Sequence, residues 1–194
     1  MTQAPQRIGL YGGAFDPPHR THVDMAQRFV AQARLDALHL CPTAGAWHKE
    51  RGLTESQHRL HMCETAFAGV PGVVIDTCEI DRGGPSFTVD TLEQLRRQYP
   101  QAQLFLLMGR DQFERLHTWH ALERIESLAT LCVADRQGPP AAALQLPSHY
   151  MALQGHATDD SATVVRERRH AGQPIDDLVT PAVARYIADH HLYL

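Results

Sequence analysis

Two histidines stand three residues apart just beyond a pair of glycines, in Gly12-Gly13-Ala14-Phe15-Asp16-Pro17-Pro18-His19-Arg20-Thr21-His22. Glycines carry no Cβ, so a phosphate can approach the backbone N–H groups closely. His19 and His22, on one face of a helix start, would both donate to a single phosphoryl group, while the free N–H groups and the positive end of the helix dipole favour the anion. Gly12, Gly13, Ala14, Phe15, His19 and His22 are therefore read as a phosphate site equipped for chemistry. The plain alternative is a surface His-x-x-His pair, but the glycines and the strand before them point to a site.

A second segment, Ser161-Ala162-Thr163-Val164-Val165-Arg166, opens another helix. Hydroxyls from Ser161 and Thr163, the free N–H groups and Arg166 would together hold a polyphosphate tail. Alone, such a segment reads as an ordinary helix cap. Following the first motif in this order, it reads as the other half of one site.

Positioning these groups requires a frame. Strand-like runs fall at 7–12, 36–41, 72–80, 103–108, 130–134 and, weakly, 149–154, with helical patterns at 21–34, 55–68, 87–98, 121–128, 161–171 and 181–190. Thr180 and Pro181 supply the cap and first residue of the last helix. The alternation predicts an α/β fold, a doubly wound parallel sheet with helices on both faces. A small helical C-terminal part, about 161–194, belongs to a single domain over 1–194. The run Leu104-Phe105-Leu106-Leu107-Met108 is apolar on both sides, as an interior strand should be, and ends at Gly109-Arg110-Asp111. Ligands of such sheets lie at the carboxyl ends of the strands, so both glycine turns are expected to face the cleft. Gly138 to Pro147 is rich in Ala and Pro and reads as a surface connection.

A 194-residue chain with 43% hydrophobic and 21% charged residues is ordinary globular material, so no disorder is invoked. The formal net charge of −4 at pH 7 argues against a broad nucleic-acid surface. Cys41, Cys63, Cys78 and Cys132 lie far apart with no Cys-x-x-Cys, and read as reduced packing residues rather than a metal site or disulfide framework. His58/His61 and His190/His191 complete no recognisable coordination shell, so no protein-held metal is expected. With neither a leader-like start nor a membrane-length apolar run, the chain reads as a soluble cytoplasmic protein with no membrane partner.

The first motif resembles the Gly-Gly-x-Phe-Asp-Pro-x-His-x-Gly-His signature of the adenylyltransferases in the nucleotidyltransferase superfamily, and Ser161 to Arg166 is similar to their Ser-Ser/Ala-Thr-x-Ile-Arg motif. Pro85-Ser86-Phe87-Thr88-Val89-Asp90-Thr91-Leu92, Gly109-Arg110-Asp111 with Thr118-Trp119, and the tail Val183 to Leu194 narrow the resemblance to the bacterial nicotinate mononucleotide adenylyltransferases. That resemblance implies a Rossmann-like fold and conversion of ATP and nicotinate mononucleotide to deamido-NAD and pyrophosphate, in NAD biosynthesis. It implies catalytic roles for His19, His22 and Arg166, with Ser161, Thr163 and Arg166 on the β- and γ-phosphates and Mg²⁺ bound mainly through the ATP phosphates.

A pyridine ring wants an aromatic face and its carboxylate wants donors. Trp119 would supply the first, or else be a core aromatic; Phe87, Thr88 and nearby backbone would supply the second. Gly109 and Asp111 would meet ATP, with Asp111 accepting from ribose hydroxyls. Lys49, in Ala46-Trp47-His48-Lys49, replaces a Pro-Pro-His-Lys/Arg segment and reads as a substrate contact or as a solubilising lysine. Thr21 stands where the family has glycine, and a β-branched side chain there is expected to crowd the nucleotide.

Overall fold

The computed structural model of the chain describes residues 6–44, 52–134, 150–155 and 160–194. Six strands, β1 (Arg7–Gly13), β2 (Ala37–Pro42), β3 (Val73–Ile75), β4 (Gln103–Gly109), β5 (Ala129–Ala134) and β6 (Met151–Leu153), form one sheet in the order β3-β2-β1-β4-β5-β6. Every pairing is parallel. The strand order reverses between β1 and β4: Gly12 lies beside Cys41 of β2, and Tyr11 beside Leu107 of β4. The crevice at such a reversal is where ligands of open α/β sheets bind, and it places the ends of β1 and β4 side by side.

Among the described residues eight helices cover the sheet: α1 (Arg20–Gln32), α2 (Ser56–Phe67), α3 (Cys78–Arg82), α4 (Thr88–Gln98), α5 (Arg110–Glu114), α6 (Leu122–Leu128), α7 (Ala162–His170) and α8 (Pro181–Asp189). Side chains alternate across a strand, so the continuous apolar run of β4 feeds two cores. Phe105 and Leu107 join Phe29 of α1, Met62 of α2, Val165 of α7 and Ile187 of α8. Leu104, Leu106 and Met108 face the other way, toward Leu92 of α4, Phe113 of α5 and Ile125 of α6. The expected doubly wound sheet with helices on both faces is what forms. At α8, Thr180 Oγ1 accepts the Val183 N–H at 3.4 Å and Pro181 occupies the first turn, as the sequence predicts.

One glycine governs how closely α1 sits on the sheet. A Cβ on Gly9 of β1 would come within 2.4 Å of Leu35, 2.9 Å of Leu38 and 2.9 Å of Phe29. Only a bare backbone lets the Phe29 ring reach the strand, and with it the start of the helix is carried toward the end of β1.

One expectation is corrected. The strand read over 72–80 stops at Ile75, because Asp76 Oδ1 accepts the Cys78 N–H at 3.0 Å and turns the chain into α3. Residues 110–118, left without an element, form α5 and a 3₁₀ turn, Leu116–Thr118, that buries Phe113 and Leu116. The connection read at 138–147 lies outside the described residues. Among the described residues no helix is long and apolar enough to cross a membrane.

Candidate active site

Extended backbone at His19 (φ −131°, ψ 174°) caps α1, and the loop from Gly12 to Pro18 packs beneath that cap. Phe15 takes a φ of +46° and is buried edge-on against Tyr11 and Phe67. Gly13 is needed for this turn, since a Cβ there would stand 3.1 Å from the Phe15 ring. His22 leans edge-on against the same ring at 5.0 Å. The centroids of His19 and His22 lie 3.7 Å apart, and Nδ1 of His22 accepts the His19 backbone N–H at 3.2 Å. That hydrogen bond fixes the tautomer: in the neutral ring the proton of His22 sits on Nε2, the donor form a phosphoryl oxygen requires.

Buried polar groups hold the loop from below. Asp16, preceding a cis bond to Pro17, is 2% exposed; its Oδ1 accepts from the Tyr193 hydroxyl at 2.6 Å and its Oδ2 from the Thr54 N–H at 3.3 Å. Burial, and then the adjacent Asp16 charge, push the Tyr193 phenol well above its usual range. Arg59 of α2, 1% exposed, donates to the carbonyls of Ala14 (2.9 Å), Thr54 (2.8 Å) and Ala44 (3.4 Å). Desolvation pulls its guanidinium below its ordinary value, opposed by the Asp16 charge. Sequence reading missed Arg59 and Tyr193 as supports. The available signal was a lone arginine on the otherwise apolar face of a helix with Met62, Cys63 and Ala66.

Residues of the second motif reach the first. Ser161 caps α7 by accepting the Val164 N–H at 3.2 Å, and Thr163 Oγ1 accepts from Arg166 at 3.1 Å. Arg166 also donates to the Asp16 carbonyl at 2.7 Å, across 150 residues of sequence. Thr21 faces the second motif. It is 2% exposed, and its hydroxyl donates to Asp160, just before the α7 cap, at 3.4 Å. Its branched side chain therefore packs between the two motifs.

Gly109 ends β4 and caps α5, and Asp111 folds back so far that a Cβ on Gly109 would lie 2.8 Å from its Oδ1. The exposed Asp111 carboxylate also accepts from Gln112 at 3.0 Å. Phe87 precedes half-buried Thr88, the first residue of α4, and its ring lies tilted at 4.7 Å against His120, which sequence reading did not single out. Trp119 is half-buried against the same apolar cluster as Phe87, so part of its ring serves the core. Lys49 lies outside the described residues.

His58 and His61 lie on α2 beside Tyr186 of α8 and His190 just past its end: His61 stacks on Tyr186 at 4.4 Å, His58 meets Tyr186 and His190 edge-on, and His58 Nδ1 lies 2.9 Å from the Tyr186 hydroxyl. Among the described residues the one trio of metal-ligating side chains within mutual reach is Cys41, Asp76 and Cys78. Among the described residues around the glycine loop, imidazoles, a guanidinium and backbone N–H groups make a donor set suited to an anion.

The pattern described as cytidylyltransferase-like matches residues 10–168. A protein of Albidiferax ferrireducens named "probable nicotinate-nucleotide adenylyltransferase" is 43% identical over 97% of this chain and 98% of its own. One of the same name in Bacillus pumilus is 36% identical over 97% and 98%. Among solved structures, the Plasmodium falciparum nicotinic acid mononucleotide adenylyltransferase complexed with NaAD superposes with a TM-score of 0.81 over 97% of both chains, at 19% identity. At that identity the likeness speaks for the fold.

Proposed function

The chain belongs to the cytidylyltransferase-like family and, within it, to the nicotinate-nucleotide adenylyltransferases, and we propose that it joins ATP and nicotinate mononucleotide into deamido-NAD and pyrophosphate by direct in-line attack. The acceptor's 5′-phosphate is already an anion at neutral pH, so no general base is required. The protein's task is alignment and charge compensation. His19, His22 and the N–H groups of the Gly12–Phe15 loop stabilise charge growing on the α-phosphate oxygens, while Arg166, Thr163 and the Ser161 cap hold the departing pyrophosphate. Mg²⁺ enters as part of the nucleotide substrate and offsets phosphate charge there.

Asp111, beside Gly109 at the end of β4, accepts from ribose hydroxyls. Phe87, Thr88 and Trp119 form the side facing the pyridine, and Lys49 is assigned to the substrate phosphates. Four reduced cysteines suit a cytoplasmic setting. The observation that carries this reading is the bond from Arg166 to the Asp16 carbonyl at 2.7 Å, since it joins the two phosphate motifs into one site at the strand-order reversal.

Pyrophosphate release from ATP and Mg²⁺, measured in parallel with nicotinate mononucleotide and nicotinamide mononucleotide, tests the proposal. Release with the acid, and its arrest by a chelator in excess over Mg²⁺, is expected. Release with neither acceptor despite ATP binding would assign the chain a different acceptor or a silent nucleotide-binding role.

A further inference from the structure

Cys41 is the penultimate residue of β2 and Cys78 opens α3, 37 residues later, yet their sulfurs stand 4.0 Å apart. An Asp76 carboxylate oxygen and the two sulfurs all lie within 4.8 Å of one another. We propose that Cys41, Cys78 and Asp76 form a binding site for one thiophilic divalent cation of the Zn²⁺ type, separate from the Mg²⁺ that accompanies the nucleotide.

The spacing suits a metal better than a disulfide. Two thiolates at ~2.3 Å on a tetrahedral centre stand about 3.8 Å apart, close to the separation seen, whereas a disulfide needs the sulfurs at roughly 2.05 Å. A pair of sulfurs with one carboxylate is a soft donor set that selects Zn²⁺ over Mg²⁺. The carboxylate is also oriented from behind, as ligating groups are in built metal centres. His39 Nδ1 donates to Asp76 Oδ2 at 2.7 Å, Asp76 Oδ1 accepts the Cys78 N–H at 3.0 Å, and Tyr99 OH lies 3.3 Å from the far nitrogen of His39. Asp76 is 17% exposed at its side chain while His39 is 4%, so the trio opens to water on the carboxylate side, where a fourth ligand can enter.

Charge is consistent with this assignment. The His39 hydrogen bond, more than any other influence, holds the Asp76 carboxyl down to about 2, so it is ionised and ready to ligate. In the metal-free protein the bond from Cys78, together with burial, keeps the Cys41 thiol protonated. The occupied site fastens the carboxyl end of β2 to the start of α3, the helix that leads through Gly83 into the Phe87–Thr88 segment.

The test uses the full chain, reduced and stripped by a chelator, titrated with Co²⁺ as an optical probe and then with Zn²⁺. Saturation at one ion per chain is expected, with thiolate-to-cobalt charge-transfer absorption, displacement by Zn²⁺ and a raised melting temperature. Cys41→Ser and Cys78→Ser abolish the charge-transfer band, Asp76→Asn weakens binding by on the order of tenfold or more, and Cys132→Ser, a buried thiol outside the trio, leaves it intact. No saturable uptake by the wild-type chain, or uptake that survives both Cys41→Ser and Cys78→Ser, overturns the proposal. Should the serine variants fail to fold, the wild-type titration and Asp76→Asn decide it, and uptake without a thiolate band counts against it.

Discussion

At the scale of single residues, the His22 ring is set as a donor before any substrate arrives, because its Nδ1 is taken by the His19 N–H at 3.2 Å. A preorganised donor of this kind is worth ~3 kcal/mol in the transition state, so His22→Ala should lower kcat by on the order of a hundredfold or more while the melting temperature, read by circular dichroism, barely moves. An unchanged kcat would remove His22 from the chemistry. Tyr193 makes a different kind of contribution. Its phenol is held protonated by burial and by Asp16, so the native state binds that proton more tightly than the unfolded chain does. The stabilisation is complete below the unfolded value of about 10 and drains away as pH rises above it. Tyr193→Phe should accordingly cost about 1–3 kcal/mol at neutral pH, from the buried Asp16 left short of a donor, and should flatten the alkaline decline in denaturant midpoint. A decline as steep as in the wild type would assign it to other groups.

At the scale of elements, α1 is placed by what β1 lacks. Gly9→Ala would drive a methyl into Leu35, Leu38 and Phe29 at once, and overpacking of this kind costs about 1–3 kcal/mol, measurable by urea titration; a neutral result would mean the helix can ride outward freely. Thr21 ties α1 to the approach of α7 through Asp160. Thr21→Ala is expected to raise the KM for ATP severalfold, with Thr21→Ser close to wild type; equal KM values for all three would leave the tie without function. Elements with strong local signals were legible in the sequence: β4 by its unbroken apolar run, α8 by Thr180 and Pro181, and the phosphate loop by its glycines. β3 and α3 were not separated because Cys78 and Ile80 follow Val73, Val74 and Ile75 across only the short polar step Asp76-Thr77, and what turns that step into a helix start is the Asp76 carboxylate bonding two residues ahead. Cys41 and Cys78 looked unrelated because parallel crossovers bring together residues that no spacing rule connects.

At the scale of the whole molecule, both cores run along opposite faces of one sheet, and the C-terminal helices α7 and α8 share the first of them with α1 and α2. One cooperative transition is therefore expected in calorimetry, its van't Hoff and calorimetric enthalpies agreeing; two resolved transitions would make the part from about 161 onward a separate unit. The motifs of the site were readable because each is local, a loop and a cap. The scaffold beneath them was not, since Arg59, Asp16 and Tyr193 act through contacts between distant parts of the chain. The hydroxyl of Tyr193 reaches Asp16 across 177 residues, and this has a consequence in time. Ribosomes add roughly 5–20 residues per second, so on the order of ten to thirty seconds pass between synthesis of the glycine loop and synthesis of the residue that locks it. A nascent chain can fold its first strands and helix during that interval, yet its phosphate loop stays unlatched. Closure of the glycine loop by this contact is thereby deferred until translation has passed beyond α8, and a chain cut short before Tyr193 is born without the latch.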